Sequence, residues 1–418
     1  MKVAGIIAEY NPFHKGHEYH IKETRRVSGA DYVIVVMSGD FVQRGEPAIA
    51  DKYLRTKMAL EGGADLVIEL PSIYATASAE YFATAGVGIL DALGVVDDLS
   101  FGSEWAGADA LGKIADLLIE EPPLFKEKLK EYLEDGKNYP QAREAAVMAC
   151  LQDPSYERIL ETPNHILGIE YIKALKRLGS KIQPLVIERK GSGYHADSWN
   201  GDEKEYPSAT ALRRLLKEMQ KGQLSDLSVL EHGIPYGLQE LLDCLEHRDF
   251  VSWEDLMPLL DYTFLMKQQV LGKYFGMDYD ISKRIEKRYV PGKSFEEMVQ
   301  LCHSRNYTDA ALRRILLHLV LQTKDYPFLS EGARIPIPYA RILGFRKASG
   351  KLISAIRENS QIPVIQKTTE GKDLDKANQI AHIIFNQDLR YSNLYEQIAS
   401  TKAGRDYRVE FIRNPVIV

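Results

Sequence analysis

Short apolar runs alternate with helical patterns through the first half of this 418-residue chain. The predicted strands lie at 3–8, 33–37, 65–70, 98–101 and 181–188, and the main predicted helices lie near 52–60, 79–93, 125–135, 140–151 and 165–178. This alternation is typical of a parallel sheet whose right-handed crossovers place helices on both faces. The sequence therefore predicts an α/β fold.

Polar and glycine-rich segments follow the predicted strands. They are residues 11–17, 38–46, 71–72, 102–104 and 189–193. Because the ligands of open parallel sheets bind beyond the carboxyl ends of the strands, we expect these segments to meet around one site.

The segment after the first strand has the features of an anion-binding corner. A turn at Asn11-Pro12 leads into His14, Gly16 and His17, where a helical pattern begins. Backbone N–H groups at a helix N-terminus attract phosphate, and a glycine lets the chain approach a ligand closely. The corner is predicted to hold the phosphates of a nucleotide, with both histidines at a loop edge where their replacement would hardly affect folding.

Two other interpretations of these histidines are possible. His14 and His17 could merely cap and cover the helix start. For an isolated short motif, this interpretation is as well supported as ligand binding. A zinc site is disfavoured, because His17 and His20 are one residue short of the spacing that puts two imidazoles on one helical face. The convergence of the other loops favours the phosphate site, and no metal site is predicted.

A second helix start, at residues 207–214, is a candidate for the far phosphates of a triphosphate. Ser208 is a suitable N-cap residue, and Arg213 follows in the first turns. The alternative is an ordinary capped helix on the surface.

Composition narrows the class of protein. A chain of this length, 45% hydrophobic and 27% charged, is long for one domain, so two or three are expected. Cys150, Cys244 and Cys302 are widely spaced, which argues against a disulfide framework or a zinc cage. No apolar run approaches the ~20 residues that span a bilayer. The opening residues lead into a predicted core strand rather than a cleavable signal, so we expect a cytoplasmic protein.

Charge is distributed unevenly along the chain. Residues 1–280 carry 30 Lys and Arg against 45 Asp and Glu, a net charge of −15, whereas residues 281–418 carry 23 against 14, a net of +9. A basic region beside an acidic one suggests capture of a polyanion, with Arg313 and Arg314 as candidate contacts. The alternative is a solvated charged surface on which these arginines pair with neighbouring acids such as Asp309.

Several motifs together resemble one enzyme family. In the first 215 residues they are GIIAEYNPFHKGH (5–17), MSGDFVQRGEPA (37–48), GADLVIELP (63–71), LSFGSE (99–104), NHILGIEY (164–171), GSGYH (191–195) and SATALR (208–213). A weaker similarity continues at PYARILGF (338–345), TTEGKDLDKANQI (368–380) and DLRYSNLY (388–395). With these motifs the chain resembles the bacterial tRNA(Met) cytidine acetate ligase (TmcAL) family.

The resemblance implies a fold, a reaction and a site. The fold would be a nucleotidylyltransferase-like, Rossmann-type parallel sheet at residues 1–220, followed by a mainly helical, basic tRNA-binding region at residues 221–418. The enzyme would use ATP, Mg2+ and acetate to acetylate N4 of the wobble cytidine, position 34, of elongator tRNA(Met), releasing AMP and diphosphate. His14 and His17 would be catalytic. The ATP-binding residues would be Ile7, Ala8, Glu9, Tyr10, Asn11, Pro12, Phe13, His14, Lys15, Gly16, His17, Glu18, Tyr19, His20, Gly102, Asn164 and Arg189.

The chain departs from the family pattern at two positions. Asp40 stands where asparagine is expected, and His165 stands where a second asparagine often follows Asn164. Asp40 would either face a Mg2+ ion or face away from the site. In the same loop, Gln43 and Arg44 are candidates for contact with acetate or cytosine.

Two rival functions share the first corner. One is a small-molecule adenylyltransferase of the pantetheine-phosphate or nicotinate type, against which the basic region argues, because a small metabolite needs no such surface. The other is a non-enzymatic, ATP-binding RNA-assembly factor.

Overall fold

A mixed β-sheet of eight strands runs through the described part of the chain. The structure, a computed structural model, describes residues 1–190, 199, 205–220, 223, 227–329, 335–376 and 378–418. The strands are β1 Val3–Ala8, β2 Tyr32–Ser38, β3 Phe41–Val42, β4 Glu46–Pro47, β5 Leu66–Leu70, β6 Asp98–Ser103, β7 Gln183–Glu188, β8 Ala340–Phe345, β9 Val364–Ile365 and β10 Val416–Ile417. All but β3 and β4, which form a separate hairpin, belong to this sheet.

Helices account for most of the remaining described structure. They are α1 Lys15–Ser28, α2 Lys52–Glu61, α3 Ser72–Ala75, α4 Ala79–Ala92, α5 Ala108–Glu120, α6 Pro123–Glu134, α7 Tyr139–Leu151, α8 Pro163–Leu178, α9 Ala209–Gln220, α10 Ser228–Glu231, α11 Leu238–Glu246, α12 Trp253–Lys267, α13 Tyr279–Arg288, α14 Phe295–Cys302, α15 Asp309–Leu321, α16 Gly350–Asn359 and α17 Gln379–Ala403. Short 3-10 helices lie at Pro154–Tyr156, Ile159–Glu161, Gln268–Lys273, Pro327–Leu329, Lys347–Ser349, Thr368–Lys376 and Glu410–Ile412. No helix among the described residues is long and apolar enough to cross a membrane.

The order of the sheet confirms the predicted α/β class. Its main path is β10-β8-β5-β2-β1-β6-β7, in which β5, β2, β1, β6 and β7 are all parallel. Strand β8 pairs antiparallel with β5, and β9 and β10 pair with β8. The sheet thus takes strands from both sides of residue 220, and the division into two domains there remains a prediction.

Both faces of the central strands are covered, as expected for a parallel sheet. Along β2, Ile34 and Val36 pack into the apolar core on one face, whereas Val33, Val35 and Met37 pack into the core on the other. This alternation follows from the two-residue period of a strand. A third core lies among α12, α13, α14, α15 and α17, and the hairpin residue Phe41 reaches into it.

A buried charge cluster joins the early strands to the end of the chain. We define it as Lys52, Glu69, Arg341 and Glu410, all almost inaccessible to solvent. Lys52 Nζ lies 2.6 Å from Glu69 Oε1 and 2.8 Å from Glu410 Oε1. Arg341 contacts the same two carboxylates, at 2.9 Å and 2.6 Å. Burial alone would raise the pKa of Glu410, but the two cations lower it to about 2. Two positive and two negative charges therefore compensate each other inside the protein.

Candidate active site

A cleft of about 480 Å³ opens beyond the carboxyl ends of β1, β6 and β7. Its walls come from the segments that follow these strands, from the hairpin after β2 and from the starts of α1, α8 and α9. Ligands of parallel sheets bind at this edge. Segments 11–17, 38–46 and 102–104 and residues 189 and 190 contribute to the lining as predicted, whereas 191–193 lie outside the described residues. The expectation is wrong for 71–72, because the Ser72 N–H donates to Asp388 Oδ1 at 2.8 Å and neither residue lines the cleft.

Most of the first motif lines the cleft. The lining residues from this segment are Ile7, Ala8, Glu9, Tyr10, Asn11, His14, Gly16, His17, Tyr19 and His20. The predicted contacts Pro12, Phe13, Lys15 and Glu18 are not among the described lining residues. Phe13 is fully buried in the core, and Glu18 accepts a hydrogen bond from the Tyr236 hydroxyl.

His14 and His17 form the N-terminal cap of α1 as well as part of the cleft wall. His14 Nδ1 accepts a hydrogen bond from the Gly16 N–H at 3.0 Å, and His17 Nδ1 accepts one from the His14 N–H at 3.3 Å. This is a capping box built from two imidazoles. Capping and ligand binding are therefore compatible roles. The expectation of a position at a loop edge is wrong for His14, which is only 5% exposed, whereas His17 is partly exposed.

The surroundings of the two rings keep them neutral. Burial, with the positive charges of Arg189 and Arg213, lowers the pKa of His14 to about 3. Burial and the neighbouring His14 likewise lower the pKa of His17 well below its usual value. A neutral imidazole that accepts at Nδ1 carries its proton on Nε2. Each ring thus retains one donor that its helix cap does not use.

Gly102, Asn164 and Arg189, the other predicted ATP contacts, all line the cleft. The Arg189 side chain packs over Gly102 so closely that a Cβ there would lie 2.9 Å from Arg189 Cγ. Glu104 holds the other two residues, because Asn164 Nδ2 donates to its Oε1 and Arg189 Nε lies 3.5 Å from the same atom. Sequence reasoning missed Glu104, although it ends the LSFGSE motif.

The second predicted helix start also lines the cleft. Ser208 Oγ accepts a hydrogen bond from the Ala211 N–H at 3.0 Å, consistent with its expected capping role. Arg213 donates to the backbone oxygen of Asn11 at 2.8 Å and lies 3.5 Å from Glu46. The arginine thus connects α9 to the turn before α1. The GSGYH motif at 191–195 lies outside the described residues.

The loop after β2 presents only part of its polar residues to the cleft. Gln43 and Arg44 line it, whereas Asp40 turns to α2 and accepts a hydrogen bond from the Lys52 N–H at 2.8 Å. Asp40 therefore faces away from the site.

Glycine is required at position 45, where φ is +75° and a Cβ would lie 2.6 Å from the backbone of Arg313.

His165, the second departure from the family pattern, lies behind the cleft wall. It is fully buried, its Nε2 is 3.5 Å from Glu104 Oε2, and its ring packs edge-on against Trp105. It is therefore a buried neighbour of Glu104 rather than part of the described cleft lining.

Arg55 fixes the ends of the first two strands. Its guanidinium is inaccessible to solvent and donates to the backbone oxygens of Glu9, Ser38, Gly39 and Ala50. The sequence offered no sign of this role, because the four acceptors are backbone atoms.

Within the described parts of the chain, no group of three His, Cys, Asp or Glu side chains could hold a metal ion. The cleft therefore presents neutral donors, arginines and carboxylates that are not grouped together. Such a set suits a phosphorylated organic ligand.

The candidate contacts Arg313 and Arg314 are only partly accessible. Arg313 donates to Glu296 at 2.9 Å and lies over the Phe295 ring, whereas Asp309 contacts His303. The alternative of pairing with an acid is thus observed for Arg313, with a different partner from the expected one. Burial lowers the pKa of Arg314 to about 10.

Comparison with known proteins places the chain in a family. A family model described as HIGH Nucleotidyl Transferase matches residues 1–409. A protein named tRNA(Met) cytidine acetate ligase from Thermoanaerobacter sp. is 40% identical over 412 residues, which cover 97% of this chain and 98% of the relative. Its namesake from Clostridium perfringens is 36% identical over 418 residues, covering 98% of each. The chain belongs to the tRNA(Met) cytidine acetate ligase family.

Solved structures of the ligase family have the same fold. A crystal structure of Thermotoga maritima TmcAL without ligand matches with a TM-score of 0.91 at 30% identity over 100% of both chains. A second crystal form, bound with alpha-thio ATP, matches with a TM-score of 0.87 at 30% identity over 100% of this chain and 99% of the other. The family and the fold class implied by the sequence motifs are therefore confirmed.

Proposed function

We propose that this protein is an ATP-dependent acetate ligase that acetylates N4 of the wobble cytidine of elongator tRNA(Met). The observation that carries the proposal is the cleft, where two neutral histidines at the start of α1 lie beside Arg189 and Arg213 in a member of the tRNA(Met) cytidine acetate ligase family. The reaction belongs in the cytoplasm, where tRNA, ATP and acetate meet.

ATP binds along the first corner, with its triphosphate at the N-terminus of α1. Nε2 of His14 and of His17 donate to phosphate oxygens, and Arg189 and Arg213 supply positive charge. Asn164, which Glu104 orients, offers an amide to the base or ribose. The whole segment 7–20 contributes, some residues by contact and others by shaping the turn.

In the first step an acetate oxygen attacks the α-phosphorus of ATP. The new bond gives acetyl-adenylate, and diphosphate leaves with the electrons of the broken P–O bond. Transfer at phosphorus depends mainly on positioning and on stabilisation of negative charge. The histidine donors and the arginines are already in place for this task, so little reorganisation is needed during the reaction.

In the second step N4 of the cytidine attacks the acetyl carbonyl carbon, and AMP leaves. The exocyclic amine of cytosine is a weak nucleophile, so the mixed anhydride must be kept from water until the base arrives. The wobble base leaves its anticodon stack to reach the cleft, as is usual when an enzyme modifies a base edge.

Mg2+ would enter this scheme together with ATP. Mg2+ commonly keeps several waters and needs only one or two protein carboxylates when phosphate oxygens are present. Because the described residues form no metal-binding group and Asp40 faces away, we assign no step to the ion. Its chemistry when bound is neutralisation of phosphate charge.

The basic C-terminal region binds the tRNA backbone. Several of its cations are engaged within the protein, including Arg341 in the charge cluster and Arg405 with Asp249 and Glu396. Lys287 and Arg288, by contrast, are exposed at the end of α13. These are better candidates for phosphate contacts than Arg313 and Arg314.

The decisive experiment is mass spectrometry of the anticodon of methionine tRNA after incubation with protein, ATP and acetate. We expect an acetyl group on the wobble cytidine, accompanied by AMP and diphosphate. Acetyl-CoA in place of ATP and acetate should give no product. Bound ATP without modified tRNA would favour an RNA-assembly factor, and AMP transfer to a small phosphate ester would favour an adenylyltransferase.

A further inference from the structure

Glu9 is held rigidly at the end of β1 with its carboxylate in the cleft wall. Its Oε1 accepts a hydrogen bond from the Gln43 N–H at 2.7 Å, and its backbone oxygen accepts one from Arg55 at 2.7 Å. The side chain and the main chain are thus both fixed. A carboxylate in this position repels phosphate, so it must serve another part of the reacting complex.

Two residues of the cleft wall, Gln43 and Asn11, carry buried amide nitrogens. Gln43 Nε2 and Asn11 Nδ2 are inaccessible to solvent and have no hydrogen-bond partner among the described residues. Asn11 Oδ1 accepts from the Ile49 N–H at 2.8 Å, which orients the amide and leaves its nitrogen as the unsatisfied group. Buried donors without partners are costly, and a ligand that reached these two amides from the cleft would supply the missing acceptors.

One acceptor and two donors complement the Watson–Crick edge of cytosine. Cytosine presents the N4 amine as a donor and N3 and O2 as acceptors, and Glu is a suitable acceptor for N4–H. Uracil presents an oxygen in place of the amine, which would face the Glu9 carboxylate. Adenine shares the amine and the neighbouring acceptor but has a C–H where O2 would lie, leaving one amide donor unpaired.

We propose that Glu9, Gln43 and Asn11 bind the edge of the target cytosine and that Glu9 accepts the N4 proton as N4 attacks the acetyl carbonyl. This inference rests on the proposed function. It assigns the proton acceptor and the base-reading groups to one wall of the cleft.

The proposed step balances in atoms and electrons. The N4 lone pair forms the N–C bond to the acetyl carbon, the bond from that carbon to the adenylate oxygen breaks, and AMP leaves with its electrons. One N4 proton moves to a Glu9 carboxylate oxygen and later to solvent. A well-positioned acceptor of this kind contributes about 10²–10⁴-fold to a rate.

The electrostatic surroundings of Glu9 suit a proton acceptor. Burial raises its pKa, against the lowering effect of Arg44 and Arg213, and the Glu46 carboxylate raises it further. Arg55 on α2 and Tyr171 on α8 also face it. Since Glu9 must be ionised to accept a proton, acetyl transfer should slow as the pH falls through this raised pKa.

The test separates the two half-reactions in Glu9→Gln. Glutamine keeps an acceptor for the Gln43 N–H but removes the base. Acetyl transfer to tRNA should fall by about 10²-fold or more beyond any change in acetate-dependent ATP–diphosphate exchange. The acid limb of the transfer rate should also disappear. Glu23→Gln makes the same chemical change at a partly exposed carboxylate on α1 that pairs with Arg26 outside the cleft, so it is the matched control and should affect neither step.

A second variant tests base reading. Gln43→Glu replaces the amide donor with an acceptor, so it should raise the KM for tRNA far more than that for ATP. Normal transfer by Glu9→Gln would overturn the proposal, and so would equal loss of exchange and transfer, which would indicate a role with ATP or its Mg2+. If the wild-type protein itself acetylates no tRNA, the proposed function is wrong, which is a different result from a normal or equally impaired Glu9→Gln variant.

Discussion

The imidazole rings of His14 and His17 stack with their centroids 3.7 Å apart. Because each Nδ1 accepts a backbone N–H, each neutral ring carries its proton on Nε2, and the pair offers two adjacent donors. Two imidazolium ions could not lie this close in a buried site, so at most one ring gains a proton when phosphate binds. The site therefore depends mainly on hydrogen bonding rather than on histidine charge.

This arrangement predicts the effect of removing either ring. His14→Ala and His17→Ala should each reduce acetate-dependent ATP–diphosphate exchange by about 10²-fold or more, as expected for a lost preorganised donor. Loss of the helix cap should also cost about 1 kcal/mol of the free energy of unfolding. His14→Asn separates the two effects, because asparagine restores a cap but not the imidazole. Recovery of exchange in His14→Asn would contradict a phosphate-binding role.

The buried His318 predicts a pH-dependent difference in stability. Its Nδ1 lies 2.9 Å from the Phe275 carbonyl and its Nε2 lies 3.1 Å from the Thr76 hydroxyl, and burial lowers its pKa to about 4. Below about pH 6.5 the His318 side chain binds a proton in the unfolded chain but not in the folded chain. The free energy of unfolding therefore decreases as the pH falls toward 4. The stability advantage of wild type over His318→Leu should therefore shrink by about 1.4 kcal/mol per pH unit in this window.

Urea denaturation at several pH values measures this slope. Thr76→Val removes one hydrogen bond of His318 without removing the titrating group. Its stability difference from wild type should change much less with pH. A pH-independent difference for His318→Leu would contradict the prediction.

The charge cluster predicts a compensating pair of substitutions. Arg341→Met leaves Glu69 and Glu410 with only Lys52 as a partner, and an uncompensated buried charge should cost about 3–5 kcal/mol of the free energy of unfolding. Adding Glu69→Gln restores the balance of charge, so the double variant should be more stable than Arg341→Met alone. Denaturation midpoints decide the matter, and a simple sum of the two single effects would show that charge balance is unimportant.

The exposed cations of α13 predict a salt-dependent effect on tRNA binding. If Lys287 and Arg288 contact tRNA phosphates, replacing both with Glu should weaken tRNA binding and reduce the slope of log affinity against log salt by roughly 0.7 to 0.9 per lost contact. Acetate-dependent exchange should be unchanged, because these residues are outside the cleft. The matched variant Arg313→Glu breaks an internal ion pair instead. An unchanged salt slope for the Lys287 and Arg288 variant would place tRNA binding elsewhere.

The sequence predicted the features that depend on local pattern. The five parallel strands were placed correctly because apolar runs and helical spacing are short-range signals. The starts of α1 and α9 were found for the same reason, since their capping residues adjoin the helices. The family motifs, rather than residue spacing, suggested Gly102, Asn164 and Arg189 as site residues, and all three line the cleft.

Features that depend on distant contacts were not predicted. Strand β8 pairs antiparallel with β5 through residues that are far apart in the sequence, such as Arg341 and Glu69. The orientation of Asp40 depends on the position of α2, and the role of Glu104 on the approach of α8. None of these follows from the period or composition of a single segment.

The joining of β8 and β10 to the early sheet bears on how the enzyme is made. A ribosome releases Lys52 and Glu69 long before Arg341 and Glu410 exist, so the growing chain exposes a half-formed sheet edge and half of a charge cluster. Domains usually fold as units during synthesis, so we expect this sheet to be completed only after β8 and β10 have been made. We therefore expect a chain truncated before residue 340 to be less stable than the full-length protein, because it lacks the strand that pairs with β5.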